Sequence, residues 1–483
     1  MNTNAPVSSA KLSNNIFSKF KETVARFYLT YVCLLIFTLL TIIEPFIRYW
    51  HEDRFKLLFQ NLYMCLTIGV YWFISAKLFA ENRKRSNLTL SLLGILFIIF
   101  VGHAFTSLDI ETTCILGLMS TIPFLTVAPF MFKKVENKDF WAFALKVNII
   151  LFFSLALWLL VWAIFTAILF ITILFIESSF DLPSAIYGTK SPSLFIISYN
   201  VFLLGYPITA IYFLCNLPKS IKFDDYKKKT VLVIRFLLTY LIPLVLTYIS
   251  ILYANIIKTV IQLKTFPHEL LFSPPQDRVE YLIPMIVCAG TIGIIIHLLS
   301  YPFKNDNKIL RFFYQHFYKL FIPIVLCLLA ILGFRIYLYG LTGFQCFATL
   351  IAIWFISLSI INVFSKQNFS IKLVPFFLSI LLMFCSFNLD GINKLSFYSQ
   401  KTALKKMLTK NHVLVNEKMT STHSRISKKE EARIKFIIWK ITANDRGLNY
   451  IKSWLSEDQI KQLEKEQYPY YINQVIFNIM GLS

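Results

Sequence analysis

Charge is scarce in this chain: 15% of its 483 residues are Asp, Glu, Lys or Arg, while 57% are hydrophobic. A soluble domain carries about 25% charged residues, so that class is excluded. Disorder is excluded too, because 48 Phe, 24 Tyr and 8 Trp make the chain strongly apolar. Acids are scarcer than bases, 26 against 48, and the net charge is +22. There is no Gly-x-x-x-x-Gly-Lys phosphate loop, and His268-Glu269 lacks the second His of a zinc peptidase helix. No Cys-x-x-Cys or Cys/His cluster occurs, which argues against a zinc site. All eight cysteines lie within or at the edge of apolar runs, where they pack as small apolar residues rather than as a disulfide framework.

What is present is a series of long uncharged runs. A hydrocarbon core of about 30 Å takes about 20 residues of helix, and on that ruler the chain holds about eleven spans. They fall near 27–43, 57–79, 88–105, 113–132, 140–175, 194–217, 231–263, 281–301, 317–339, 345–364 and 371–387. The fifth and seventh exceed one crossing but have no internal Gly/Pro pair to turn the chain back. Each is expected to be a single helix that continues beyond the bilayer. The fold class is therefore all-α: a polytopic helical membrane protein with a small helical C-terminal extramembrane domain. Residues 1–26 form a polar N-terminal segment, 27–387 the transmembrane domain and 388–483 the tail. No small-residue cleavage site follows the first run, so it reads as a retained span.

Lys and Arg fix the expected orientation, because short loops rich in them stay in the cytoplasm. One side holds twenty of them, including Arg83-Lys84-Arg85 and Lys227-Lys228-Lys229, and the other side six. The N-terminus is expected inside and, after an odd number of spans, the C-terminus outside. In the tail the apolar residues recur with helical spacing. Ile434, Ile437, Ile438 and Ile441 form a stripe opened by the capping box Ser427-Lys-Lys-Glu430, and Gly447 can close it. A second box, Ser456-Glu-Asp-Gln459, opens another helix.

Ionisable groups at mid-bilayer mark carriers and relays. None falls there: Glu44, His103 and Arg335 sit near outer ends of spans, and Lys77, His297 and Lys319 near inner ends. The candidate outer-face set is Glu52, Asp53, Asp109 and Glu111, since paired carboxylates hold divalent ions or share acid/base work. Adjacent acids in a solvated loop are also common, and no catalytic residue, metal ligand or cofactor site is assigned. Lys227 to Lys229 fit anionic lipid headgroups rather than nucleic acid. The expected partners are membrane lipids and an envelope protein.

The stretch Arg335-Ile-Tyr-Leu-Tyr339-Gly340-Leu341-Thr342 resembles a bacterial inner-membrane family known as domain of unknown function 4153. Asp139-Phe-Trp-Ala-Phe143, Pro243-Leu244, Ile251-Leu-Tyr-Ala-Asn255 and the segment Ser396, Ser399-Gln400, Leu404, Leu408 fit it in order. The family pattern continues with Glu, any residue, Arg and Tyr, where this chain has Gly343, Phe344, Gln345 and Cys346, a departure that removes a charged pair. The resemblance implies a bacterial cytoplasmic membrane and no assigned activity. The favoured expectation is a non-enzymatic component of envelope assembly, transport or sensing. The alternative is a membrane enzyme, glycosyl- or acyl-transferase-like, acting on a lipid-linked substrate at the outer face.

Overall fold

The structure is a computed structural model that describes residues 9–50, 54–81, 86–107, 110–131, 136–180, 192–218, 228–265, 278–365, 369–419, 426–442, 445–464 and 469–482. Every expected apolar run is a helix. In chain order these are α1 (Ser9–Arg26), α2 (Tyr28–Trp50), α3 (Arg54–Ala80), α4 (Ser86–Thr106), α5 (Ile110–Val127), α6 (Asn137–Phe180), α7 (Pro192–Asn216), α8 (Lys228–Thr265), α9 (Arg278–Ser300), α10 (Lys308–Tyr339), α11 (Gly343–Phe364) and α12 (Leu373–Phe387). Among the described residues eight helices, α3 to α6 and α8 to α11, are by themselves long and apolar enough to cross a membrane. α12 has 15 residues, about 22 Å of helix. The chain is an all-α, multi-pass integral membrane protein.

The long runs are single helices of 44 and 38 residues, α6 and α8. Pro243 is accommodated inside α8. α1 meets α2 across a bend of 98°. Arg26 holds that corner by donating to both oxygens of Glu81, at 2.8 and 2.9 Å.

The helices gather into two compact units. The first takes residues 1–228 and 370–387, and the second 229–369 and 388–483. In the first unit the core is aromatic and aliphatic, with Phe37, Tyr63, Ile74, Phe143, Tyr206 and Phe213 buried together. There α12 lies along α5: Ser379 donates to the Ser120 carbonyl at 2.8 Å and Ser386 to the Thr113 carbonyl at 2.7 Å. Both pairs of positions are seven residues apart, two helical turns, so one polar seam ties two antiparallel helices.

In the second unit α10 begins under the Asn307 cap, whose side chain accepts from the Leu310 amide at 2.8 Å, and ends at Gly340. α11 opens with a capping box: Thr342 Oγ1 accepts from the Gln345 amide and Gln345 Oε1 from the Thr342 amide. Gln345 thus closes the N-terminus of α11.

The tail adds α13 (Leu389–Lys410), the strands β1 (Leu414–Val415) and β2 (Lys418–Met419), then α14 (Lys428–Ile441), α15 (Asp445–Lys452), α16 (Glu457–Glu464) and α17 (Pro469–Ile479). Both expected N-caps are made, Ser427 with the Glu430 amide and Ser456 with Gln459. Ile434, Ile437, Ile438 and Ile441 are all buried. The helix ends at Thr442 rather than at Gly447. Gly447 lies inside α15, where a Cβ would collide with the Ile441 carbonyl at 1.8 Å. Leu338 and Tyr339, from the end of α10, belong to the same core as the tail stripe. The tail core is therefore continuous with α10.

Candidate functional site

The first unit encloses a cavity of about 450 Å³. Helical periodicity builds its walls. Gln60, Met64, Thr67 and Tyr71 share one face of α3, Leu151, Ser154, Leu155 and Trp158 one face of α6, and Phe202, Tyr206, Thr209 and Phe213 one face of α7. Cys114, Ile115, Leu118 and Ile122 of α5 complete it with Phe37 of α2. Ile115 of α5 and Leu155 of α6 line the space yet are 42% and 43% exposed. The cavity wall is therefore partly exposed at these two apolar positions.

The lining is mostly apolar with a few fixed polar groups. Phe37 packs on Tyr63 and Tyr206 with ring centroids 4.9 and 5.0 Å apart. Gly205 leaves room for Trp158, which lies 2.8 Å from where a Cβ would stand and donates Nε1–H to the Phe202 carbonyl at 2.7 Å. Tyr63 donates its hydroxyl to Glu44 at 2.8 Å. Glu44 is 2% exposed, an acid inside the packed protein. Ser154, 5% exposed, buries a hydroxyl without a hydrogen-bond partner among the described residues, and the Tyr206 hydroxyl, 6% exposed, lies against the Thr67 side chain. An unmade hydrogen bond there costs about 1–3 kcal/mol. A ligand with one polar group and a long apolar body would satisfy such a site.

Sequence depth alone did not reveal Glu44 or His297 as interior groups. Both are near span ends, yet packing rather than depth decides exposure, and His297 is fully buried against Tyr314 with ring centroids 4.4 Å apart. The signal available for the cavity was the spacing of Tyr63, Thr67 and Tyr71, with Tyr206 and Phe213, on helical faces.

Of the acidic set, Glu52, Asp53 and Asp109 lie outside the described residues. Glu111 stands exposed in the first turn of α5. Among the described residues no three His, Cys, Asp or Glu side chains group as a metal site.

The motif residues do converge, in the second unit. Gly340 adopts φ +78° and lies against Gln400. Ser399 Oγ accepts from the Leu341 amide at 2.8 Å, and Ser396 Oγ donates to the Leu341 carbonyl at 3.0 Å. Both Leu341 backbone groups are thereby paired with α13. Tyr339 packs edge-on against Phe436, centroids 5.2 Å apart. The Arg335 guanidinium lies 5.9 Å from the Tyr339 ring centroid. The fork that reaches the carbonyls ahead of the turn is that of Arg433, which donates to Leu338 and Tyr337. Burial lowers the Arg433 pKa from its ordinary value, opposed by Tyr339 and Glu430. The tail lysines find acids within the tail, Lys405 on Glu417 at 2.8 Å and Lys410 on Glu430 at 2.7 Å.

No family model, no curated protein and no solved structure matches this chain.

Proposed function

We propose that this chain is a non-enzymatic component of a bacterial cytoplasmic membrane that takes the hydrocarbon chain of a lipid or lipid-linked molecule into the cavity between α3, α5, α6 and α7. The observation that carries the reading is the combination of half-exposed lining residues, Ile115 and Leu155, with the hydroxyls of Ser154 and Tyr206 inside, that of Ser154 without a partner among the described residues. Apolar walls stabilise the chain by about 25 cal/mol per Å² of surface removed from its surroundings only where water is displaced, so in a bilayer specificity rests on shape and on those hydroxyls. The role is in envelope assembly, transport or sensing, with the tail as the surface offered to an envelope protein. The bacterial assignment rests on the resemblance of 335–342 and 396–408 to domain of unknown function 4153, supported by the packing of those two segments on each other.

The experiment is mass spectrometry of lipids that co-purify with the full chain in neutral detergent. Wild type retains a defined lipid species; Ser154→Leu, which fills the cavity, loses it, and Ile164→Leu on the exposed face of α6 keeps it. Identical lipid complements in all three would overturn the reading. Orientation, N-terminus inside and C-terminus outside, is tested by reporter fusions. One at Lys227 reports cytoplasm and one after Lys410 the outer side, and a cytoplasmic signal from the second would overturn it.

A further inference from the structure

A second cavity, of about 530 Å³, lies in the second unit at the start of α10, lined by Lys304, Arg311, Tyr314, Gln315, His316, Lys319, Asn362 and Phe369 among others. Its character is opposite to the first. Three basic side chains line it and, among the described residues, no Asp or Glu does. The nearby acid, Asp306, is engaged by Arg235 at 3.2 Å.

The cations are held so that their donors stay available. Lys304 Nζ lies 4.9 Å from the Tyr301 ring centroid and 5.3 Å from that of Tyr314. Ring faces attract the ammonium without consuming its three N–H donors. Tyr314 is itself fixed, because His297 stacks on it at an interplanar angle of 11° and its carbonyl faces His297 Nε2 at 3.3 Å. A carbonyl only accepts, so Nε2 carries that proton. Arg311 makes one long contact, Nη2 to the Asn305 carbonyl at 3.5 Å, which leaves most of its planar fork open. Like charges brought to one cavity repel, and a counter-anion removes that repulsion. The fork matches tetrahedral oxyanions, and basic pockets between spanning helices take phosphorylated headgroups.

We propose that this cavity binds a phosphate group, held by Lys304, Arg311 and Lys319 with the neutral amides of Gln315 and Asn362 as further donors. The inference is independent of the apolar cavity and of any outer-face role.

The test uses the full chain, stripped of lipid in a neutral detergent, and native mass spectrometry with phosphatidylglycerol, phosphatidylcholine and inorganic phosphate as separate probes. Wild type binds phosphatidylglycerol in preference to phosphatidylcholine, and the triple variant Lys304→Gln, Arg311→Gln, Lys319→Gln binds it about tenfold more weakly. A tail variant of similar charge change, Lys401→Gln with Lys405→Gln and Lys410→Gln, keeps wild-type binding. Phosphatidylglycerol binding that millimolar inorganic phosphate does not displace identifies a lipid headgroup; displacement identifies a soluble phosphate source. Should the triple variant fail to fold, Lys319→Gln alone, on an exposed position, carries the comparison. Equal phosphatidylglycerol affinity in wild type and in the cavity variants, or equal loss in the tail variant, would overturn the proposal.

Discussion

A Cβ placed on Gly340 would stand 2.9 Å from the Cα of Gln400 and 3.0 Å from its nitrogen. Backbone cannot move aside as a side-chain tip can, and Gly340 also has φ +78° and ψ 167°, a region open essentially to glycine alone. Gly340→Ala is therefore expected to destabilise the second unit by about 3 kcal/mol. Gly333, seven residues earlier on the same helix, has nothing within 4 Å of its Cβ position, so Gly333→Ala should stabilise by up to about 1 kcal/mol. Thermal unfolding of both variants in detergent checks the contrast, and equal midpoints would contradict it.

Arg433 and Arg335 both approach Tyr339, at 5.7 and 5.9 Å from its centroid. Arg433 also donates from two nitrogens to the last carbonyls of α10. Lys keeps the charge but replaces the planar fork by a single point donor. Arg433→Lys should cost about 1–2 kcal/mol and Arg335→Lys less. Unfolding midpoints that rank the other way would show that Arg335 rather than Arg433 holds this turn.

How much of this was legible beforehand follows from what sequence patterns encode. The Ile434 to Ile441 stripe, the N-caps at Ser427 and Ser456 and the single long helices α6 and α8 depend on local spacing, and spacing is visible in a sequence. The first cavity depends on which face of α6 meets which face of α7, a choice that uniformly apolar helices do not advertise. Trp439 illustrates the limit: a large aromatic beside the buried Ile438, it is 53% exposed, with Lys440 4.6 Å from its ring centroid. The hairpin was missed for another reason. Its strands are two residues each, and its turn, Asn416-Glu417, lacks the glycine that marks such turns.

The end of α13, just ahead of that hairpin, yields a further prediction. His412 has φ +57° and Glu417 φ +61°. His412 ends α13 in a Schellman arrangement, with Val413 N–H on the Leu408 carbonyl and His412 N–H on that of Thr409. Glycine holds this conformation without the steric cost of a Cβ, so His412→Gly should be more stable than His412→Ala by about 1 kcal/mol. A lower melting midpoint for the glycine than for the alanine variant would contradict the backbone argument.

Glu417 gives a pH expectation. The hydrogen bond and charge of Lys405 hold its carboxyl below the usual carboxylate range. A depressed folded-state value means that the pair's contribution is complete above the ordinary carboxylate value and is lost as pH falls through the folded one. The pair is solvent-exposed and its contribution is small. Glu417→Gln should leave the melting midpoint at neutral pH nearly unchanged and slightly flatten its decline in acid. A steeper acid decline in the variant would reverse the sign.

The seam between α5 and α12 sets the last expectation. Ser379 and Ser386 are buried and donate across to α5, while Ser120 turns its hydroxyl back to the Gly117 carbonyl at 2.6 Å. Bonds of this kind between membrane helices average about 0.6 kcal/mol, because a loosened helix finds other partners in its own backbone. Ser379→Ala and Ser386→Ala should each be mild, about 0.6 kcal/mol, since alanine preserves the close approach of the helices. Size matters more than the hydroxyl. A Cβ on Gly117 would lie 2.6 Å from Phe100 Cζ, and Phe100 is held in place by Phe387 at the end of α12, centroids 5.5 Å apart. Gly117→Leu must displace Phe100 and, through it, Phe387, so it should cost about 2–3 kcal/mol, beyond either serine change. Unfolding of the three variants, measured in the same detergent, orders them. If Ser379→Ala proved as damaging as Gly117→Leu, the hydroxyls rather than the close fit would be what holds α12 to α5.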